Sequence, residues 1–179
     1  SIISATRTAA SAVLAAEHLV AEPKRAKVIG FVGNGLIARH IYQVFMDTDW
    51  SFDEVKLFDL NRQDALRFGS EVCDAGKHRV RVCDSLEELV SNSDVVVCAT
   101  TAASPYIHDE SWLSHNPLIL NISLRDIAPE ILLSSNNVVD DIDHVMNADT
   151  SPHLAEQACG HRDFINGTIA QLVLGQCDL

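Results

Sequence analysis

Basic residues are scarce in this sequence: 13 Lys and Arg stand against 25 Asp and Glu, a formal charge of -12. No Lys/Arg cluster interrupts that excess, so the chain lacks the positive surface that nucleic acid or an anionic membrane would need. No apolar run approaches the roughly 20 residues of a membrane span. The opening SIISATRTAASAVLAAEHLV has no basic leader region either, which disfavours a signal peptide. Five cysteines, at 73, 83, 98, 159 and 177, form no CxxC or zinc-type Cys/His spacing, and the eight histidines form no HxH or HExxH pattern. No metal site is expected. An odd, scattered set of thiols suits a reducing compartment, so a soluble cytoplasmic protein is expected, without nucleic-acid or membrane partners. Heptads, internal repeats and low-complexity tracts are missing too.

What is present is a core-forming chain, 47% hydrophobic and 21% charged, which excludes a disordered acidic tail. Residues 2 to 21 are Ala-rich, contain no Gly or Pro and stop before Pro23, which predicts a long helix buried on more than one side. KVIGFVGNGLIARHIYQVF then reads as strand, tight turn and helix. Further strands are predicted at 54 to 59, 79 to 83, 94 to 100, 117 to 122 and 137 to 141. Helices are predicted at 62 to 74, at a Ser85/Glu88 capping box running to Val90, and in short form near 109 to 114 and 128 to 134. After residue 141, Ser151-Pro152 reads as a cap and first-turn pair, with helices over 152 to 159 and 167 to 174. This alternation predicts an α/β fold with a Rossmann-like doubly wound parallel sheet.

The first turn carries Gly33-Asn34-Gly35-Leu36-Ile37-Ala38, a GxGxxA match in the right strand-turn-helix context. Such a turn sets a helix N-terminus against a pyrophosphate. Asp59 follows at the end of the second strand, where a carboxylate can accept hydrogen bonds from both adenosine ribose hydroxyls and repel a 2′-phosphate. These residues point to NAD rather than NADP, although Arg62 lies close by. The plainer alternative is that the glycines only turn the chain and Asp59 caps the next helix. An FAD site has no isoalloxazine-binding domain to complete it. Thr100, Thr101 and Ala102 end the fourth strand, where they either line the nicotinamide ribose or make ordinary loop hydrogen bonds. Asn121 and Ser123 share that ambiguity. Cys98 reads as a small apolar core residue.

Taken in order, ATRTAASAVLAAEHLV, VGNGLIARH, VVVCATTAASPYI, ILNISLRDIAPEIL and VVDD resemble the ornithine cyclodeaminase and mu-crystallin family, from Arg7 to about Gly175. The SLRD form of the later motif is similar to the branch that makes 2,3-diaminopropionate for siderophores. That resemblance implies NAD-dependent oxidation of N-(1-amino-1-carboxy-2-ethyl)-glutamate to an imine, which water splits to 2,3-diaminopropionate and 2-oxoglutarate. It also implies that Arg7 grips a substrate carboxylate and that Asp126 is the catalytic carboxylate acting on the substrate amine. A surface arginine and a helix N-cap are the plainer roles for these two. Leu124 and Arg125 replace the glycine-rich stretch of the cyclodeaminases, so Arg125 is expected to answer a more acidic substrate. Family proteins also carry a substrate and dimerisation domain and are expected to be homodimers at full length. By that comparison the chain is expected to be an excised NAD-binding domain, with residues 1–22 an interdomain linking helix, 23–179 the dinucleotide-binding domain and the other domain absent. Ornithine cyclodeamination and a mu-crystallin-like binding role remain the alternatives.

Overall fold

In a computed structural model of the chain, residues 2–73, 75–177 and 179 are described. They divide into two compact units, residues 1–100 with 111–122, and residues 101–110 with 123–179. The first helix belongs to the core of the first unit, and the C-terminal third of the chain forms a unit of its own.

The first unit is built on a five-stranded parallel sheet in the order β3-β2-β1-β4-β5. Its strands are β1 (Arg25–Val32), β2 (Ser51–Phe58), β3 (Arg79–Val82), β4 (Val95–Cys98) and β5 (Leu118–Asn121). Every residue of VVVC in β4 is buried, as an interior parallel strand requires. The crossovers carry α2 (Leu36–Asp47), α3 (Arg62–Glu71) and α4 (Leu86–Val90), and a 3₁₀ turn spans Glu110–Leu113. The reversal of strand order between β1 and β4 is the switch point at which open α/β sheets bind ligands.

The leading helix α1 (Ile2–Leu19) buries Ala5, Ala9, Ala12, Val13, Ala15 and Ala16, while Ser4, Arg7, Ala10, Ser11 and Leu14 stay exposed. Within this chain the helix is therefore buried along one side, not on more than one as expected. Methyl-sized side chains on the buried stripe let α1 lie in one core with α2 and the sheet, and an exposed Ala costs little. Beneath the sheet Phe31, Tyr42 and Phe68 pack at centroid distances of 5.5 to 6.3 Å. Tyr42 Oη is paired with His78 Nε2 at 3.0 Å, so the one polar atom of this cluster is satisfied. Full burial of each such ring is worth about 1.5 to 3 kcal/mol.

The second unit holds a two-stranded parallel sheet of β6 (Asn137–Val139) and β7 (Ile165–Thr168), with helices α5 (Pro129–Leu133), α6 (Ile142–Val145), α7 (Ser151–Cys159) and α8 (Ile169–Val173). The predicted strand at 137 therefore does not extend the main sheet. It pairs with β7, a strand the sequence reading missed because INGT shows no apolar alternation. Asn137 provides the link: its Nδ2 reaches the carbonyls of Leu132, Ser135 and Phe164, and its N–H donates to Asn166 Oδ1. Met146, Ala155 and Phe164 form one buried cluster of this unit, in which Ile107, Ile127, Ala128 and Ile131 are buried as well.

Candidate functional site

At the carboxyl end of β1 the chain turns through Gly33, whose φ of 80° lies in the left-handed region. A Cβ there would stand 2.5 Å from the Ala99 carbonyl oxygen and 3.0 Å from the Thr100 methyl. Only glycine fits both constraints. Gly35 is different: it is the N-cap of α2, its φ is unremarkable, and a Cβ would meet nothing within 4 Å. The turn therefore presents open space at the N-terminus of a 12-residue helix with no side-chain cap. The N–H groups of Leu36, Ile37 and Ala38 have no intrahelical acceptor there, and the helix dipole adds partial positive charge. Ala38 is fully buried, which keeps α2 against the sheet.

Asn34 was expected to contact the cofactor, but its polar groups turn inward. Its side chain is buried and donates through Nδ2 to the Phe31 carbonyl at 3.2 Å, and its Oδ1 has no hydrogen-bond partner among the described residues. Its N–H donates to Asp59 Oδ2 at 2.8 Å. Asp59 also accepts the Asn61 N–H through Oδ1 at 2.9 Å. The carboxylate therefore links the glycine turn to the segment entering α3. Asn61, not Asp59, caps α3, its Oδ1 accepting from Gln63 N–H. Each Asp59 oxygen still has lone-pair capacity for a further donor. Arg62 is turned to Asp84, Nη1 to Oδ1, at 2.8 Å.

Gly33, Asn34, Gly35, Leu36, Ile37, Asp59 and Thr100 thus all lie at the carboxyl ends of β1, β2 and β4 in the first unit. Arg7 is exposed on α1, where Ile3, Ser4, Arg7 and Thr8 line a shallow depression of about 370 Å³. Thr101 and Asp126 belong to the second unit. In that unit Asp126 is fully buried, and its backbone oxygen accepts from the N–H groups of Tyr106 and Ile107. The N-cap of α5 is Ala128, so Asp126 does not cap it. The chain on either side of Asp126 is tied to Ser151: Ser151 N–H donates to the Leu124 oxygen at 2.7 Å, and Ser151 Oγ accepts from Ile127 N–H at 3.3 Å.

Ser151 is thus a brace, while Thr150 provides the α7 cap that was expected of Ser151. Arg125 was expected to meet an acidic substrate. Its Nη2 instead donates to the Ala148 carbonyl at 2.7 Å, bracing a turn in which Ala148 and Asp149 both have positive φ. Burial pushes the Cys73 thiol up to about 12 and also raises that of Cys83, where Glu88 adds to the effect, so neither is a ready nucleophile.

The ornithine cyclodeaminase/mu-crystallin family model matches residues 1–148. The chain belongs to this family. Ketimine reductase mu-crystallin of Rattus norvegicus is 34% identical over 112 residues, covering 63% of the chain and 33% of that protein. N-((2S)-2-amino-2-carboxyethyl)-L-glutamate dehydrogenase of Staphylococcus aureus is 29% identical over 181 residues, covering 98% of the chain and 52% of that protein. Thermococcus litoralis Δ1-pyrroline-2-carboxylate reductase, solved with NADH and L-proline, superposes with a TM-score of 0.86 at 24% identity, covering 99% of the chain and 56% of the other. The chain therefore spans between a third and a little over half of the length of these three relatives. Among the described residues no helix is long and apolar enough to cross a membrane.

Proposed function

We propose that this family member binds NAD through the Gly33–Gly35 turn and serves an amino-acid oxidoreductase. The observation that carries the reading is the Asp59 carboxylate, fixed by two backbone amides beside a glycine turn that leaves the α2 N-terminus open. The free amides of Leu36, Ile37 and Ala38 would hold the pyrophosphate, and Asp59 would accept from the adenosine ribose hydroxyls. Bound NAD supplies a hydride acceptor, which no amino-acid side chain can be.

The finer reading is oxidation of N-(1-amino-1-carboxy-2-ethyl)-glutamate, with release of 2,3-diaminopropionate and 2-oxoglutarate, as in siderophore-related synthesis. Similarity to the staphylococcal dehydrogenase over nearly the whole chain and the Ser123-Leu124-Arg125-Asp126 motif support it. In this reading Asp126 takes a proton from the substrate amine, Arg7 holds a substrate carboxylate, and Thr100 and Thr101 line the nicotinamide side. A cyclodeaminase returns its hydride, so accumulation of NADH from candidate amino acids by the protein distinguishes the two chemistries.

Calorimetry on the chain tests the cofactor directly. NAD should bind more tightly than NADP, and Asp59→Ala should weaken NAD by roughly tenfold to over a hundredfold, the equivalent of about 1.5 to 3 kcal/mol for a charged hydrogen bond. Equal or tighter NADP binding by the parent chain would refute the assignment.

A further inference from the structure

Three residues beyond Asp59 stands Arg62, at the first position of α3 and next to the expected ribose site. NADP differs from NAD by a 2′-phosphate, and an arginine near the end of the second strand is the usual group to accommodate it. Here the guanidinium is engaged elsewhere. Arg62 Nη1 lies 2.8 Å from Asp84 Oδ1, in the loop between β3 and α4.

Both ends of this ion pair are presented by fixed turns. On one side Asp59 accepts the Asn61 N–H and Asn61 caps α3, which sets the backbone entering Arg62. On the other side, Asp84 N–H donates to Glu88 Oε2 at 3.1 Å, and Ser85 Oγ accepts from Glu88 N–H, which holds the loop to the start of α4. Cys83 N–H donates to the Leu57 oxygen at 2.8 Å, so this loop also leaves β3 tied to β2, the strand that leads to Asp59. The capping box read at Ser85 and Glu88 is therefore half a box, with one Glu88 oxygen accepting the N–H of the residue that holds Arg62 and the other paired with the Arg81 guanidinium.

We propose that Asp84 is a specificity-determining positioning residue, holding Arg62 toward β3 so that a 2′-phosphate meets the Asp59 carboxylate without a counter-cation. The inference rests on the dinucleotide reading of the glycine turn. Two devices then favour NAD: repulsion by Asp59 and the sequestering of the nearby arginine. An exposed ion pair is a weak restraint, so its removal should be felt as a modest, measurable change in cofactor ratio.

The NADP and NAD dissociation constants of the full chain, Asp84→Ala, Arg62→Gln and the double variant test this by calorimetry. Asp84→Ala should tighten NADP about three- to fivefold while leaving NAD within twofold. In the Arg62→Gln background the same substitution should have no effect on the ratio, because no guanidinium remains to be released. NADP tightening that persists without Arg62 would mean that Asp84 acts only as a second negative charge, and would overturn the proposal. NAD binding with an unmoved ratio would also overturn it, whereas failure of the parent chain to bind either nucleotide would remove the cofactor reading and the proposal together.

Discussion

Gly33 and Gly35 sit two residues apart in one turn and do different work. At Gly33 both the positive φ and the Ala99 carbonyl exclude a side chain, so Gly33→Ala should lower stability by about 1 to 3 kcal/mol, measured as a shifted urea midpoint. A Cβ at Gly35 faces open space and should leave that midpoint nearly unchanged. Equal losses at both positions would contradict the division of labour. The sequence made both glycines legible because their spacing is local. It did not reveal that the Asn34 side chain is given to the Phe31 carbonyl in the interior, nor that the acceptor for its N–H lies 25 residues away on Asp59. The α7 cap was misplaced by one residue for a simpler reason. Thr150 and Ser151 are adjacent hydroxyl residues before Pro152, and either satisfies the capping pattern.

At the scale of elements, β4 was legible as a continuous apolar run, as a buried interior strand should be, whereas the edge strand β3 was legible from the alternation of RVRV. The pair β6 and β7 was only half legible. A single side chain, Asn137, joins these strands where pattern does not. Asn137→Asp keeps the shape but turns an acceptor toward three carbonyls, so the variant should lose at least about 2 kcal/mol at neutral pH. The sign of its pH dependence follows from the same contacts. Carbonyls favour the protonated acid, which raises the folded-state pKa of the new carboxyl above its unfolded value of about 4. The deficit should therefore shrink as pH falls toward that value and grow as pH rises through the folded-state pKa. Denaturant titrations at pH 7 and near pH 4 check this, and a pH-independent loss would argue against carbonyl repulsion.

For the molecule as a whole, the two units have unequal means of resisting opening. The first buries the aromatic cluster and the Val-rich centre of the sheet in one large core, while the second buries a smaller set that includes Ile107, Ile127, Ile131, Met146, Ala155 and Phe164. Local opening free energy follows buried apolar contact. Amides of β1, β2 and β4 should therefore exchange with deuterium more slowly than those of β6 and β7, and the reverse order would show that core size does not set the local stability here.

The Gly33 N–H donates to the Phe58 oxygen at 2.9 Å and, as described above, the Asn34 N–H donates to Asp59; both bonds join the glycine turn to the end of β2. The turn is therefore finished only when β1 and β2 are aligned. A slip of one residue would send Val55 and Leu57 to the wrong face and carry Asp59 away from the turn in the same movement. On the proposed function, nucleotide binding would therefore proofread strand alignment: a ligand at a hundred times its dissociation constant would add about 2.7 kcal/mol to the aligned form alone. Misaligned chains, with apolar side chains turned outward, would pass an immobilised-nucleotide column unretained while correctly paired chains stayed behind.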